Sequence, residues 1–170
     1  VVVERTEIRN ATQIVGVENK LTYDIIDENG ISVMHNYEVG QIRGILQINK
    51  SDITFISASN SWIYDGMAHS ETSYTYEGVI GYGDEVRVVG ITEITDVGYK
   101  GNNLVYAITY EGEDVTHTNY FLSYRTGTLR VSQRDVVLSP HDEKVYNGLY
   151  QSAEKIIAID GTSLADGHVA

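Results

Sequence analysis

The amino-acid sequence predicts an all-β protein built from tandem small β-sandwich modules. The first indication is an internal period, because Asn36-Tyr37 recurs as Asn119-Tyr120, 83 positions later. The second is the alternation of apolar and polar residues along short segments, which is the period of a half-buried strand. The third is a composition of 13 Tyr and 16 Gly with a single Pro, which favours strands joined by tight turns.

The same offset relates many other positions of the chain. Leu21, Tyr23, Ile25, Gly44 and Leu46 correspond to Leu104, Tyr106, Ile108, Gly127 and Leu129. A fixed period of this length indicates an array of like units. We therefore predict a complete repeat module over 51–133. Residues 1–50 would be the C-terminal part of a preceding repeat, and 134–170 the N-terminal part of a following one. An alternative frame places two units with a boundary near residue 84.

Strands and turns follow from local patterns. Alternating or β-branched residues predict strands within 21–25, 86–94, 104–108 and 128–131. Turns are predicted where Gly follows a polar residue, in pairs that tolerate positive φ, at Asn29-Gly30, Glu111-Gly112, Asp65-Gly66 and Asn147-Gly148. Turn signals at this spacing suggest a sandwich or a barrel. The pattern does not choose between an immunoglobulin-like sandwich and a β-grasp-like module.

Composition limits the partners that the chain can bind. The net charge of −12 argues against nucleic acid, whose phosphates require clustered Lys and Arg. Hydrophobic residues make up 42% of the chain and charged residues 21%, as in folded domains rather than disordered segments. Without cysteine, neither disulfides nor thiolate metal sites can form.

An ordered set of motifs resembles the MBG (mostly-beta, glycine-rich) and YDG repeats of bacterial surface proteins. The motifs are Tyr64-Asp65-Gly66, Thr95-Asp96-Val97-Gly98, Asp114-Val115-Thr116, Asn119-Tyr120 and Gly127-Thr128-Leu129-Arg130-Val131. Tyr146-Asn147-Gly148 keeps the first motif with Asn in place of Asp. The resemblance implies framework roles for these residues, with Gly setting turns and recurring Tyr, including Tyr106, filling a core.

The resemblance also implies a function. Such modules form a structural stalk, repeat region or filament of secreted or cell-surface adhesins, so we expect an extracellular location on a bacterium. The expected partners are neighbouring repeat modules of the same polypeptide, and exposed strand edges could support self-association. The alternative function is an adhesive module that recognises a host glycan or glycoprotein.

No constellation in the sequence predicts catalysis. The five His are scattered, none has the spacing of a helical zinc motif, and no Gly-x-Ser-x-Gly elbow is present. We therefore expect no enzymatic activity and no cofactor. Weak calcium candidates are two groups of carboxylates in turns, since calcium takes oxygen ligands. These are Asp24, Asp27 and Glu28, and Glu111, Glu113 and Asp114.

Aromatic residues that do not recur at the 83-residue offset are the candidates for ligand binding. Trp62 corresponds to Lys144, Tyr99 to Gly16, Tyr110 to Asp27, and Tyr124 to Gln41. A position that accepts Lys or Asp is expected at the surface, and surface aromatics are common in contacts with sugars and proteins. The alternative adhesive function would use Trp62, Tyr99, Tyr110 and Tyr124.

Overall fold

The protein is mostly β, which confirms the predicted all-β class. Its structure, a computed structural model, describes residues 2–11, 16–152, 156–158 and 163–168. The other residues, which fall in the predicted flanking repeats, lie outside this description. Helix is limited among the described residues to a 3₁₀ turn at Met34–Asn36 and the four-residue α1, Thr116–Asn119.

The strands are short. Their bounds are β1 Val2–Arg5, β2 Val17–Asn19, β3 Leu21–Tyr23, β4 Gly44–Leu46, β5 Ser51–Ser57, β6 Asn60–Ile63, β7 Tyr74–Gly78, β8 Asp84–Gly90, β9 Gly98–Asn102, β10 Val105–Tyr110, β11 Glu113–Asp114, β12 Tyr120–Arg125, β13 Gly127–Ser132, β14 Leu138–Pro140 and β15 Ile156–Ala158. The four segments predicted as strands, 21–25, 86–94, 104–108 and 128–131, each overlap one of them: β3, β8, β10 and β13.

The strands form three-stranded and two-stranded sheets. The three-stranded sheets have the orders β11-β10-β8, β12-β5-β7 and β6-β13-β9, and the two-stranded sheets are β1-β3, β2-β4 and β14-β15. β13 pairs in parallel with β6 and antiparallel with β9. The predicted Glu111-Gly112 turn closes the hairpin between β10 and β11, where Tyr110 lies opposite Glu113. Both turn residues have positive φ, 49° and 86°, as a two-residue type I′ hairpin requires.

The chain divides into two compact units. The first unit comprises Val1–Ile53, Glu77–Arg87 and Ala107–Ser123. Its buried hydrophobic residues are Ile53, Ile108, Val115 and Tyr120. Val115 and the buried Thr116 belong to the Asp114-Val115-Thr116 motif. The Thr116 hydroxyl accepts a hydrogen bond from the Ile108 amide at 2.7 Å, so the motif secures the end of β10 to the start of α1.

The second unit comprises Thr54–Tyr76, Val88–Tyr106 and Tyr124–Ala170. Its buried hydrophobic residues are Phe55, Ile94, Leu104, Tyr106, Leu129, Val131 and Ala165. Along β13, Leu129 and Val131 are buried while Thr128 and Arg130 are exposed, which is the alternation of a sheet with one covered face. Gly127 begins this strand because an added Cβ would clash with the Ala58 carbonyl oxygen.

Equivalent strand pairs occur at the offset of 83 residues. In the pair β2–β4, Val17 lies opposite Leu46 and Asn19 opposite Gly44. In the pair β9–β13, Lys100 lies opposite Leu129 and Asn102 opposite Gly127. Each residue of the second pair lies 83 positions after its counterpart in the first. The 3₁₀ turn at Met34–Asn36 and α1 are related in the same way, since they end at Asn36 and Asn119.

Candidate functional site

The Asn119-Tyr120 motif anchors a polar network in the first unit. Tyr120 is 3% exposed, and its hydroxyl accepts a hydrogen bond from the Gly81 amide at 2.8 Å. The same hydroxyl donates to the Asp84 carboxylate. The Asn119 side chain accepts a hydrogen bond from the Ala11 amide at 2.7 Å. The motif therefore connects the end of α1 to the turn before β8 and to the segment after β1.

Arg9 and Asp84 complete this network. The Asp84 side chain is 2% exposed and forms an ion pair with the Arg9 guanidinium. The guanidinium also lies over the Tyr110 ring, 3.3 Å from its centroid. Desolvation lowers the pKa of Arg9, but the hydrogen bond and charge of Asp84 act in the opposite direction, and the pKa is raised overall. A cavity of about 480 Å³ borders these residues. Within the network, Arg9 and Asp84 neutralise each other's charge, and the Tyr120 hydroxyl has both a donor and an acceptor. This arrangement suits a structural clamp.

Sequence reasoning identified Asn119, Tyr120 and Tyr110 in this network but missed Arg9 and Asp84. Tyr110 was expected at the surface because Asp27 holds the corresponding position. It is instead half-buried beneath Arg9, so that expectation is wrong. The recurrence of Asn119-Tyr120 was the available signal for the network. No local pattern marks Arg9, because its ion-pair partner Asp84 lies 75 positions away in the chain and Tyr110 lies farther still.

Trp62 also differs from the expected exposure. It is half-buried, packs against the buried cluster of Ile94, Leu129 and Val131, and stacks on His69 with ring centroids 4.9 Å apart. The correspondence of Trp62 to Lys144 does not require exposure, because the aliphatic part of a Lys side chain can cover an apolar surface while its charge stays in water. Trp62 is therefore part of the packing of the second unit.

Tyr99 and Tyr124 are exposed as expected, at 72% and 55%. The structure does not bring Trp62 and Tyr99 to one surface. Trp62 lies opposite Val131 and Tyr99 lies opposite Arg130, and successive residues of β13 face opposite sides of the sheet. The Arg130 guanidinium lies 5.4 Å from the centroid of the exposed Tyr99 ring. Trp62 and Tyr99 consequently do not form one continuous face.

An aromatic cluster surrounds the buried Tyr106 in the second unit. The Phe55 ring stacks on Tyr106 with centroids 4.0 Å apart, and Tyr74 meets Tyr106 edge-on at 5.0 Å. The Tyr124 ring is nearly parallel to the Tyr106 ring, and the two ring centroids are 6.2 Å apart. Burial raises the pKa of the Tyr106 hydroxyl, and the neighbouring Tyr74 and Tyr124 act in the same direction. A pocket of about 290 Å³ opens beside this cluster.

Recurring Tyr positions do not all fill a core. Tyr106 and Tyr120 are buried, whereas their counterparts in the flanking segments differ: Tyr23 is half-buried and Tyr37 is 57% exposed. Tyr146, the counterpart of Tyr64, is 89% exposed. The expectation of a core role is therefore wrong for Tyr37 and Tyr146. Burial of these positions depends on neighbours that the local sequence does not specify.

The Tyr-Asp-Gly and Tyr-Asn-Gly motifs form the same turn. Asp65 Oδ1 accepts a hydrogen bond from the Met67 amide at 2.9 Å, and Asn147 Oδ1 accepts one from the Leu149 amide at 3.0 Å. Gly66 and Gly148 have φ of 83° and 76°, in the left-handed region that favours glycine. Tyr64 is half-buried against the Leu129 cluster, and its ring lies 5.7 Å from that of His168. The motifs are turn-forming framework at both positions.

The Asp65 turn predicts a dependence of stability on pH. The Met67 amide, followed by the His69 side chain at 2.9 Å, lowers the pKa of Asp65 from its ordinary value of 3.8. Because the folded state has the lower pKa, the stabilisation is complete above about pH 5 and is lost as the pH falls through that pKa. Asp65→Asn retains the acceptor for the turn, as Asn147 does. We expect this variant to lose less stability than the parent between pH 7 and about pH 3.

Thermal unfolding at both pH values, followed by the fluorescence of Trp62, measures this difference. Trp62 is the only Trp in the chain and packs in the same unit as Asp65. Asp65→Ala serves as the control, since it removes the turn acceptor and should be less stable than Asp65→Asn at both pH values. Equal acid sensitivity of the parent and Asp65→Asn would contradict the assignment.

The acidic turns proposed as weak calcium sites use their carboxylates for local hydrogen bonds. Asp27 Oδ1 accepts from the amides of Asn29 and Ile31, both at 2.9 Å. Asp114 Oδ1 accepts from the Thr116 amide at 2.8 Å, and hydrogen bonds from Thr116 lower the pKa of Asp114. Asp24 Oδ1 accepts from the Ser32 hydroxyl. Within the described residues, neither these carboxylates nor Glu28, Glu111 and Glu113 form a group of three potential metal ligands.

Comparison with protein-family models, with curated proteins and with solved structures gave no match for this chain. Over the described ranges, no helix has both the length and the hydrophobicity needed to cross a lipid bilayer.

Proposed function

We propose that this chain is a structural stalk or repeat region of a bacterial cell-surface or secreted adhesin, made of MBG/YDG-type modules. The observation that carries the proposal is the equivalence of β2–β4 and β9–β13, whose pairing registers differ by 83 residues throughout. The same backbone pairing at two places in one chain is what a tandem array predicts. In this proposal the complete module spans 51–133, and 1–50 and 134–170 belong to its neighbours.

We further propose that the module is a small β-sandwich of the immunoglobulin-like type. Support comes from three-stranded sheets in which buried residues alternate with half-buried ones along β5 and with exposed ones along β13. A β-grasp-like module would need a helix that covers one face of its sheet. Within 51–133, which the structure describes throughout, helix is limited to the four residues of α1. Such a helix spans about one turn and covers little of a sheet.

The proposed mechanism is mechanical. Residues 9–11 belong to the preceding repeat in this frame, whereas Asp84 and Asn119 belong to the complete module. The Arg9–Asp84 ion pair and the hydrogen bond from Ala11 to Asn119 tie these segments together within the first unit. Bonds of this kind restrict a joint that would otherwise bend freely. Neighbouring modules are thus the expected partners, and the acidic charge of −12 would keep adjacent stalks apart.

Single-molecule force spectroscopy tests the proposal. The 170-residue chain is placed between reference domains of known unfolding length and stretched. A module of 83 residues should unfold in one step that adds about 250–300 Å of contour length. Gradual extension without such a step would contradict a load-bearing module.

A further inference from the structure

Tyr64 of the Tyr-Asp-Gly motif fills a defined site in the second unit. Its amide donates to the Ser132 carbonyl oxygen at 2.9 Å, directly after β6 pairs in parallel with β13. Its hydroxyl lies 3.4 Å from His168 Nε2. The apolar contacts of its ring come from a buried cluster, Ile94, Leu129 and Val131. The strand β6 and the tyrosine that follows it are therefore held by β13 and by the turn that contains His168.

The first unit repeats the turn that contains His168. In the turn 165–168, the His168 amide donates to the Ala165 carbonyl oxygen at 3.0 Å, and in the turn 81–84 the Asp84 amide donates to the Gly81 carbonyl oxygen at 3.0 Å. The third residue of each turn is a glycine with a φ of 79°. Gly81 and Asp84 of the first unit therefore correspond to Ala165 and His168 of the second.

The rest of the Tyr64 site also has a counterpart in the first unit. At the offset of 83 residues, the counterparts of Ile94, Val131 and Ser132 are Ala11, Ile48 and Asn49. These three counterparts, together with the turn 81–84, border the cavity of about 480 Å³ in the first unit. Among the described residues, β4 pairs with β2 alone, whereas its counterpart β13 also pairs with β6. The cavity thus has the walls of the Tyr64 site without the added strand and the tyrosine.

Tyr146 is a second tyrosine of this kind in the same chain. It precedes the same hydrogen-bonded turn as Tyr64, and 143–145 corresponds to the last three residues of β6. Tyr146 is nevertheless 89% exposed, and over the described ranges 143–146 belongs to no strand. Tyr146 therefore has the local turn of Tyr64 but lacks the neighbours that cover Tyr64.

We propose that the cavity in the first unit binds the segment 143–148 of a second copy of this chain. The first three residues of the segment would pair in parallel with 47–49, as β6 pairs with β13, and the Tyr146 ring would fill the cavity. By the register of β6 and β13, Val145 would lie opposite Asn49, and the Tyr146 amide would donate to the Asn49 carbonyl oxygen. This contact rests on the repeat frame of the proposed function and adds a like chain as the partner.

The cavity is open to such a segment, and its walls suit a tyrosine. Val79 and Tyr82, which border the cavity, are 74% and 101% exposed, and Ile48 is only half-buried. A tyrosine ring can pack its carbon atoms on apolar groups of this kind while its hydroxyl stays near water. An edge strand accepts a strand from another chain through backbone hydrogen bonds, so the pairing with 47–49 adds affinity to the burial of the ring.

The geometry of the contact determines the kind of assembly. The segment 143–148 of one copy meets a different surface of the next copy, so the contact is heterologous and can continue from chain to chain. One short strand and one ring bury far less than the roughly 1,200 Å² of a stable interface. We therefore expect weak association, with a Kd of about 0.1 mM.

Sedimentation velocity of the 170-residue chain, from about 10 μM to about 1 mM, tests the proposal. The measurement uses about 0.15 M salt, which screens repulsion between chains of net charge −12. We expect the average sedimentation coefficient to rise with concentration and to pass the value for a dimer. A monomer at every concentration would overturn the proposal.

Two variants identify the two sides of the contact. Tyr146→Ala removes an exposed ring, so folding should be retained and association should weaken at least tenfold. Val79→Arg places a long charged side chain at an exposed position beside the cavity and should weaken association comparably. An equimolar mixture of the two should form a 1:1 dimer and nothing larger, because one variant keeps the cavity and the other keeps Tyr146. Undiminished association of either variant alone would contradict the assignment.

Tyr150→Ala is the matched control. Tyr150 is 109% exposed in the same segment, but it corresponds to Ala68, so the repeat does not require a ring at this position. Association of Tyr150→Ala should equal that of the parent, and a loss as large as that of Tyr146→Ala would overturn the specific fit. A monomeric chain that unfolds under force in one 83-residue step would overturn this contact and leave the stalk proposal standing. Association through Tyr146 without such a step would support the contact and contradict the load-bearing module.

Discussion

Replacing Leu129 by alanine is expected to lower the free energy of unfolding of the second unit by about 3–4 kcal/mol. Leu129 is 0% exposed and lies in the buried cluster with Ile94 and Val131. Its truncation removes apolar contacts and leaves a cavity that the flanking strands β6 and β9 cannot fill without moving. Denaturant unfolding followed by the fluorescence of Trp62, which packs on this cluster, measures the loss directly.

Leu46→Ala is the matched control for this prediction. Leu46 occupies the position 83 residues earlier and lies opposite Val17 in the equivalent strand pair, but it is only half-buried. We expect it to cost about 1 kcal/mol, because less apolar surface returns to water. Similar losses for the two variants would show that position within the repeat, rather than burial in the second unit, governs the contribution of these leucines.

Replacing Asp84 by alanine is expected to destabilise the first unit by about 2–3 kcal/mol. The change deprives the buried Tyr120 hydroxyl of its acceptor and the Arg9 guanidinium of its ion-pair partner. For a chain of this size, the loss corresponds to a fall in Tm of about 5–10 °C. Scanning calorimetry is the appropriate measurement, because Trp62 reports on the other unit.

Glu85→Ala is the control for Asp84→Ala. Glu85 is the next residue along β8 and pairs with Arg87, but both side chains are 67% exposed. Exposed ion pairs contribute little, so we expect a change within about 0.5 kcal/mol. If Asp84→Ala were as mild as Glu85→Ala, the polar network around Tyr120 would contribute little to stability. The proposed clamp in the stalk would then lose its physical basis.

The two predicted large effects concern different units, so their outcomes are separable. Loss of stability in Leu129→Ala or Asp84→Ala concerns the core and the clamp. Tyr106→Phe, by contrast, should leave stability unchanged or slightly increased, because it removes a buried hydroxyl without a partner.

The local sequence was sufficient to predict the fold class and the positions of the turns. Alternation of apolar and polar residues in 104–108 and 128–131 predicted strands, because a pleated strand places every second residue on the same covered face. Asp65-Gly66, Asn147-Gly148 and Glu111-Gly112 predicted turns, because glycine accepts positive φ, and in the first two a short polar side chain can also accept a hydrogen bond from a nearby amide. Strand alternation and turn chemistry depend on a few neighbouring residues, so they can be predicted from the sequence without knowledge of the fold.

Only the tertiary structure decided which side chains meet. Arg9, Asp84 and Tyr120 converge from distant segments, and Trp62 and Tyr99 separate to opposite faces of one sheet. The correspondence of Trp62 to Lys144 suggested exposure, yet the neighbours of Trp62 on β13 bury it. The aromatic cluster around Tyr106 arises in the same way, since the rings of Phe55, Tyr74 and Tyr124 reach it from other strands. The sequence by itself thus determined the β class, the period and the turns, because these are local. Burial, the clamp and the aromatic cluster were decided by contacts between residues far apart in the chain.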